Sequence, residues 1–368
     1  MRSYLFGALL SLAAALHLVG CGGGSASPGV IPEAQAAVVV DSCPIGDEVA
    51  QTAQLQAVLD SAKGNVVLPA CVFTVKTLRV SRPMRITCAG ANVDGTVIRF
   101  SGDEGLVVDP AVVVNIATGG WNKRGFWFDM EHCRIEPTIK GGGTHSFVMR
   151  VRPGFFISSS SVRHNHFGGA GAQGLFLDNV ECNTDGIFTS TFAGNFIESG
   201  VLVKCGGDSL HFVDNVVPDG ANKPGLPGFD MSFVPGAAES SLVRNNVTTS
   251  GGCVLVRNGI GLVLEHNWCE PSSPPPDSVQ GVITLKNCSE CAVRDTRVQT
   301  LGSAVPYALV IDGGNGIALD SNKFNTGRLG HIAFVNGAYD NLLVGLNRYD
   351  GSPKGRLTGA STGLIATP

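Results

Sequence analysis

Over most of its length the chain alternates apolar and polar residues in short runs, and the runs return at a steady interval. A pattern, apolar-x-x-Asn-x-apolar, reads Val162-Arg163-His164-Asn165-His166-Phe167 and then Phe192-Ala193-Gly194-Asn195-Phe196-Ile197. It recurs around Asn215, Asn245, Asn267, Asn322 and Asn347, with Thr296 in the Asn place between Val293 and Val298. The intervals run from 20 to 30 residues and average 26. A repeat of that length predicts a solenoid, and the alternation within each repeat is that of strands, not helices. Asn tolerates the left-handed backbone of a tight bend, and Asn side chains stacked from one repeat to the next can hydrogen-bond as a ladder.

A second family of segments opens each repeat. It runs Phe147-Val148-Met149-Arg150, Leu175-Phe176-Leu177-Asp178, Val201-Leu202-Val203-Lys204 and Phe229-Asp230-Met231-Ser232. It continues as Val254-Leu255-Val256-Arg257, Ile283-Thr284-Leu285-Lys286, Leu309-Val310-Ile311-Asp312 and Ala333-Phe334-Val335-Asn336. The fourth position is polar throughout and faces outward, so the first and third face the core. The second position must then also face outward, although most of its residues are apolar. Such a stripe needs a cover: the long loops Pro218 to Gly228 and Glu270 to Gly281, a second copy of the chain as in trimeric tailspikes, or a ligand.

The start of the body adds a cap. Gln51 to Ala62 reads as an amphipathic helix with Leu55, Val58 and Leu59 on one face. Gly64-Asn65-Val66-Val67-Leu68-Pro69 follows, then Phe73-Thr74-Val75 and Leu78-Arg79-Val80. The open end of a solenoid exposes core and strand edges, so a cap is physically required. With the Asn ladder, this helix-to-strand entry resembles the pectate-lyase-like superfamily, over about Val49 to Tyr349. The resemblance implies an all-β, right-handed parallel β-helix of about ten rungs with a short N-terminal capping helix. It specifies the fold but not the activity.

The ends read differently. Arg2 and the apolar run Leu5 to Val19 have the form of a signal peptide, and Leu18-Val19-Gly20-Cys21 resembles the lipobox of bacterial lipoproteins, in which the cysteine is acylated. The expected organisation is a signal peptide at 1–20, a Gly/Ser/Ala/Pro tether at 21–40, the β-helix at 41–350 and a tail at 351–368. Gly22 after the cysteine implies, by resemblance to enterobacterial lipoproteins, the outer membrane. No later segment is long and apolar enough to span a bilayer. A net charge of −4 argues against a nucleic-acid partner. Of 11 cysteines, ten remain beside Cys21, an even number that suits disulfides in an oxidising compartment. Cys182 and Cys205 fall just after the opening strands of consecutive rungs and are expected to pair; Cys71 with Cys88 is the next pairing. Cys288-Ser-Glu-Cys291 lacks a second CxxC or a His pair, which favours a disulfide over zinc.

Candidate chemistry centres on Asp230, which interrupts the apolar column. Lys204 and Arg257 lie one rung either side and Lys286 one beyond; Asp178 precedes them. Cations around a carboxylate suit an anionic sugar: they would neutralise a uronate carboxylate, and Asp230, Lys204 or Arg257 would serve as base. Uronate lyases of the resembling superfamily work in this region and often use Arg or Lys as base. The sequence therefore nominates Asp230, Arg257 and Lys204 as catalytic and Lys286 and Asp178 as substrate-binding. The bland alternative is a solvated ladder of alternating charge.

Asn183-Thr184-Asp185-Gly186 resembles a polygalacturonase motif, but the following rung lacks the paired aspartates that inverting hydrolysis needs. Histidines are scattered, and Cys205-Gly206-Gly207-Asp208 offers one carboxylate, so no metal site is assigned; calcium, used by some pectate lyases, is the one cofactor the resemblance admits. Four readings follow: a polysaccharide lyase on an acidic glycan, a non-catalytic glycan-binding or structural surface lipoprotein, a polygalacturonase-like glycoside hydrolase, and a phage tailspike, against which the signal peptide counts.

Overall fold

The computed structural model describes residues 36–110, 124–169, 171–182, 186–218, 227–234, 240–249, 251–271, 281–299, 305–325, 329–335 and 341–350, with two final strands, Leu357–Thr358 and Leu364–Ala366. The apolar segment 1–20, Cys21, Asp185, Asn336 and most of the two long loops lie outside them.

The chain winds as a right-handed parallel β-helix. Each rung gives one strand to each of three long sheets. Sheet I has thirteen strands, from Val38–Val39 to Leu364–Ala366; sheet II has eleven, from Val72–Val75 to Arg348–Asp350; sheet III has eleven, from Leu78–Val80 to Leu357–Thr358. A three-stranded sheet (Arg124–Phe126, Phe155–Ser158, Ile187–Phe188) accompanies the lower rungs. Strands thus begin and end beyond the 41–350 span, because Val38–Val39 pairs with Val66–Val67 and Leu364–Ala366 with Leu342–Val344. Inward positions stack into a continuous core. Phe192 and Phe212 lie 5.0 Å apart and Phe147 and Phe167 5.2 Å apart, ring on ring.

The helix Glu48–Ser61 closes the lower end. It begins three residues before the expected Gln51, because the Asp47 side chain accepts the Ala50 N–H at 2.9 Å. Leu55 and Leu59 are buried on the first rung. The polar side chains occupy the edge that the first rung would otherwise leave unpaired: Gln51 Oε1 accepts from Thr74 N, Thr52 Oγ1 from Lys76 N and Gln56 Oε1 from Arg79 N, at 2.8 to 2.9 Å.

The ladder lies at the bend between sheets I and II. Asn195 Nδ2 donates to Asn215 Oδ1 (3.0 Å), Asn215 to Asn246 (2.9 Å) and Asn246 to Asn267 (3.1 Å). Each amide also bonds a backbone carbonyl, as Asn215 Nδ2 does with Phe192 O at 3.0 Å. Two details correct the sequence reading. The ladder residue of its rung is Asn246, not Asn245. The left-handed backbone belongs to the residue before the ladder Asn: His164, Gly194, Asp214, Asn245, His266, Asp295 and Ser321 all have φ between 46° and 63°. The bend therefore divides its work: one residue turns the chain, and the next points its amide inward.

The sheet III register agrees with the sequence columns except after Val203, where the pairing to the next strand shifts, and in the upper rung, where Leu309 pairs with Ile332 and Val310 with Ala333. The opening residue there is Ile332, one before the expected Ala333. Cys182–Cys205 forms as expected. Cys71 and Cys88 do not pair with each other; the bonds are Cys43–Cys71 and Cys88–Cys133. Cys88 stacks on Leu68 within sheet I, whereas Cys71 has already turned the corner toward sheet II and meets the segment before the helix. Cys253–Cys269 is the fourth disulfide. Cys288 and Cys291 are buried free thiols rather than a disulfide, with the Cys288 thiol pushed up by its contact with Cys291 and by burial. Four disulfides are the mark of an oxidising, extracytoplasmic compartment. No helix among the described residues is long and apolar enough to cross a membrane.

Candidate functional site

The outer face of sheet III carries the site. Its second-position column, expected to be an exposed apolar stripe, is sealed at both ends within one chain: Val107, Val148, Leu255, Thr284 and Val310 are at most 5% exposed. Between them three consecutive rungs, Phe176, Leu202 and Asp230, are only half-buried. The strand register alone places these three in a row. They form a window in the covered stripe.

Charged groups rim the window, and the structure divides the nominated residues between two clusters. Asp230 forms an ion pair with Arg257, one rung above. Lys204 turns away from Asp230 toward the rung below: its Nζ lies 3.4 Å from Asp178 Oδ1 and 3.5 Å from the Val180 carbonyl. Lys204 stands directly in register with Asp178, the opposite charge in the same outward column, whereas Asp230 lies in the neighbouring column. Lys286 is farther up, 3.5 Å from Asp312, and belongs to neither cluster. Asp178 joins the lower cluster, at 9% side-chain exposure.

That cluster contains residues the sequence reading passed over. Arg150 Nε donates to Asp178 Oδ2 at 3.0 Å and its Nη2 to Glu104 Oε1 at 2.7 Å. Two carboxylates thus share one guanidinium, whose pKa they raise, the Glu104 hydrogen bond most. Glu104 stands in register with His145, so the Arg150 side chain runs back along its own strand to meet it. Arg150 was legible as the fourth-position neighbour of Asp178, but its partner was not, since Glu104 lies 46 residues earlier.

His145 stands beside them, in register with Glu104 and Gln173. Its ring packs 4.5 Å from that of Phe176 at the floor of the window. Burial holds its pKa below the ordinary histidine value, against the opposing pull of the Gln173 backbone and the Glu104 carboxylate, so the ring is neutral at neutral pH. Its buried Nδ1 and the buried Gln173 Oε1 have no hydrogen-bond partner among the described residues. Because Nδ1 is buried, Nε2 is the His145 nitrogen that can face the window; Lys204, on the far side of Asp178, is a partly exposed cation. No group of three or more His, Cys, Asp or Glu among the described residues is placed to hold a metal.

Comparisons with known proteins agree on fold. No family model matches the sequence and no curated protein matches it. Among solved structures, the mannuronan C-5 epimerase AlgE4 A-module of Azotobacter vinelandii is similar at a TM-score of 0.51 and 14% identity, over 88% of this chain and 92% of that one. DFA-IIIase from Arthrobacter chlorophenolicus A6, in complex with GF2, is similar at 0.54 and 15%, over 86% and 88%. The Agl-KA catalytic domain is similar at 0.53 and 13%, over 86% and 65%. The chain thus has the parallel β-helix fold expected from its resemblance to pectate-lyase-like proteins, and at these identities the likeness extends to fold alone.

Proposed function

We propose that this protein is exported, anchored through acylated Cys21 at the outer membrane, and acts on an acidic polysaccharide by eliminative cleavage at the sheet III window. The observation that carries this reading is the coincidence of the opening at Phe176, Leu202 and Asp230 with a neutral His145 and the cations Lys204 and Arg257. A uronate laid on Phe176 and Leu202 would present its carboxylate to Lys204, which lowers the cost of forming a carbanion at the adjacent carbon. His145 would take that proton. The electron pair would form a double bond to the neighbouring ring carbon as the glycosidic C–O bond breaks, and the leaving oxygen would take a proton from solvent. Asp230 and Arg257 would hold the next sugar. The similar fold of an enzyme named for mannuronan epimerisation supports the substrate class and not the outcome of the reaction.

A non-catalytic, glycan-binding role is the second reading. The pairing of Asp230 with Arg257 and of Lys286 with Asp312 favours it, as in a ladder of mutually compensated charges.

The test is the ultraviolet absorbance of an unsaturated uronate product, with the protein offered polygalacturonate, alginate and hyaluronate, with and without calcium. Product that disappears in His145→Gln and falls steeply in Lys204→Ala supports elimination at this site. Absence of product on all three refutes the lyase reading in favour of the binding one. Loss of metabolic palmitate labelling in Cys21→Ser tests the anchor; labelling that persists refutes it.

A further inference from the structure

A second surface stands apart from sheet III. On the outer face of sheet II one column runs Phe196, Val216, Val247, Trp268 and Arg297, each in register with the next. The four apolar members are 39 to 41% exposed. Strands lie about 4.8 Å apart, so the four span roughly 15 Å in a straight line along the helix axis. An exposed, ordered apolar ribbon of that length is a binding surface by default.

Its lower end opens into a recess of about 380 Å³ lined by Ala91, His164, His166, Gly194 and Phe196. The floor is flat for a local reason: the His164 ring lies where a side chain on residue 194 would be, and a Cβ there would come within 2.6 Å of its Nδ1. Only glycine fits. His166, edge-on to Phe196, is 3.0 Å from Glu198.

The upper end is charged. The Arg297 guanidinium sits 4.3 Å from the Trp268 ring centroid, and its Nη2 donates to Gln299 Oε1 at 3.0 Å. Neither partner is charged. Among the described residues no carboxylate lies within ion-pair distance of Arg297, whereas Lys323 and Arg348 above it share Asp350. Two carboxylates flank the ribbon: Glu198 faces His166, and Glu270 accepts from the neutral Trp268 Nε1 and keeps its charge. Arg297 is therefore a cation held against an aromatic ring at the end of an apolar track, with no direct ion pair among the described residues.

We propose that this face of sheet II is a second glycan-binding site, distinct from the sheet III window, which takes an anionic polysaccharide lying along the helix axis. Its sugar rings rest on Phe196, Val216, Val247 and Trp268, and a uronate carboxylate meets Arg297. Rung spacing close to the length of one sugar ring lets successive sugars meet successive rungs. The site would hold polymer beside the window without touching its chemistry.

The test measures binding of the full chain to polygalacturonate, alginate and uncharged dextran by affinity electrophoresis. Arg297→Gln, Trp268→Ala and Phe196→Ala are compared with His145→Gln and Lys204→Ala. The expected result is at least one acidic polymer bound in preference to dextran, with affinity about tenfold weaker in Arg297→Gln, as for loss of one charge-assisted hydrogen bond. Arg297→Lys would retain part of it, and Lys204→Ala, which removes the cation of the window, would lower binding by its own, additive share. Thermal melts confirm that these exposed substitutions leave the fold intact. The proposal fails if neither acidic polymer binds, or if the sheet II variants bind as the parent does. It also fails if the chain is a dimer that Trp268→Ala dissociates, which would make the ribbon a contact between copies. The sheet III reading fails separately, by absence of product.

Discussion

Replacing Arg150 with methionine keeps most of the side chain's length but removes the charge. It deletes three charge-assisted hydrogen bonds, two to Glu104 and one to Asp178. Asp178 keeps Lys204 at 3.4 Å, while Glu104, with a side chain 14% exposed, is left without its cation. Stripping one partner from a buried pair costs about 3 to 5 kcal/mol; the guanidinium is 19% exposed, which places the cost near the lower end, about 3 kcal/mol. The assay is urea unfolding at pH 7 followed by far-ultraviolet circular dichroism. The triple variant Arg150→Met, Glu104→Gln, Asp178→Asn should recover to within about 1 kcal/mol of the parent, because no carboxylate is then left unpaired. Lys204→Ala, which removes a cation 45% exposed, should cost no more than about 1 kcal/mol. An Arg150→Met protein within 1 kcal/mol of the parent, or a triple variant no better than the single one, would refute the reasoning.

Two further predictions concern the scaffold and its pH dependence. Asn215→Ala leaves the Asn195 backbone N–H, one Asn195 Nδ2 donor and the Phe192 carbonyl without their partner; at about 1 to 3 kcal/mol for each buried group, destabilisation of at least about 3 kcal/mol should appear, with faster hydrogen exchange at the Asn195 amide. Unchanged exchange there would show that the ladder is not a support. Stability should fall in two stages on acidification. His145 resists protonation when folded, so stability is lost as pH drops below its ordinary value of 6.5. Glu198 is held below 4.5 by its hydrogen bond to His166; Glu136 is too, since hydrogen bonds from Arg99 and Arg134 outweigh its burial. Their contributions are fully present above 4.5 and disappear as pH falls through the lowered values. His145→Gln should abolish the upper stage alone in a titration of melting temperature; a parent and variant that run parallel from pH 7 to 5 would exclude it.

The sequence by itself determined the parallel β-helix, because a solenoid repeats one local instruction: apolar alternation sets each strand, and an Asn at a fixed offset marks each bend. It also assigned the outward columns of sheet III and one disulfide, Cys182–Cys205, whose cysteines share a position in neighbouring rungs. What it could not give was anything that depends on which residues meet across rungs. The ladder amide at Asn246 rather than Asn245, the Ile332 register, and Cys71 turning to Cys43 each follow from a shift of one residue or one corner, which strand alternation does not resolve. Lys204 went to Asp178, its in-register neighbour, rather than to Asp230. The window at Phe176, Leu202 and Asp230 was decided only by tertiary burial, since its apolar residues match in kind those sealed above and below. His145 and Arg150 met Glu104 because winding placed its strand directly beside theirs, a proximity that loop length conceals and rung stacking creates.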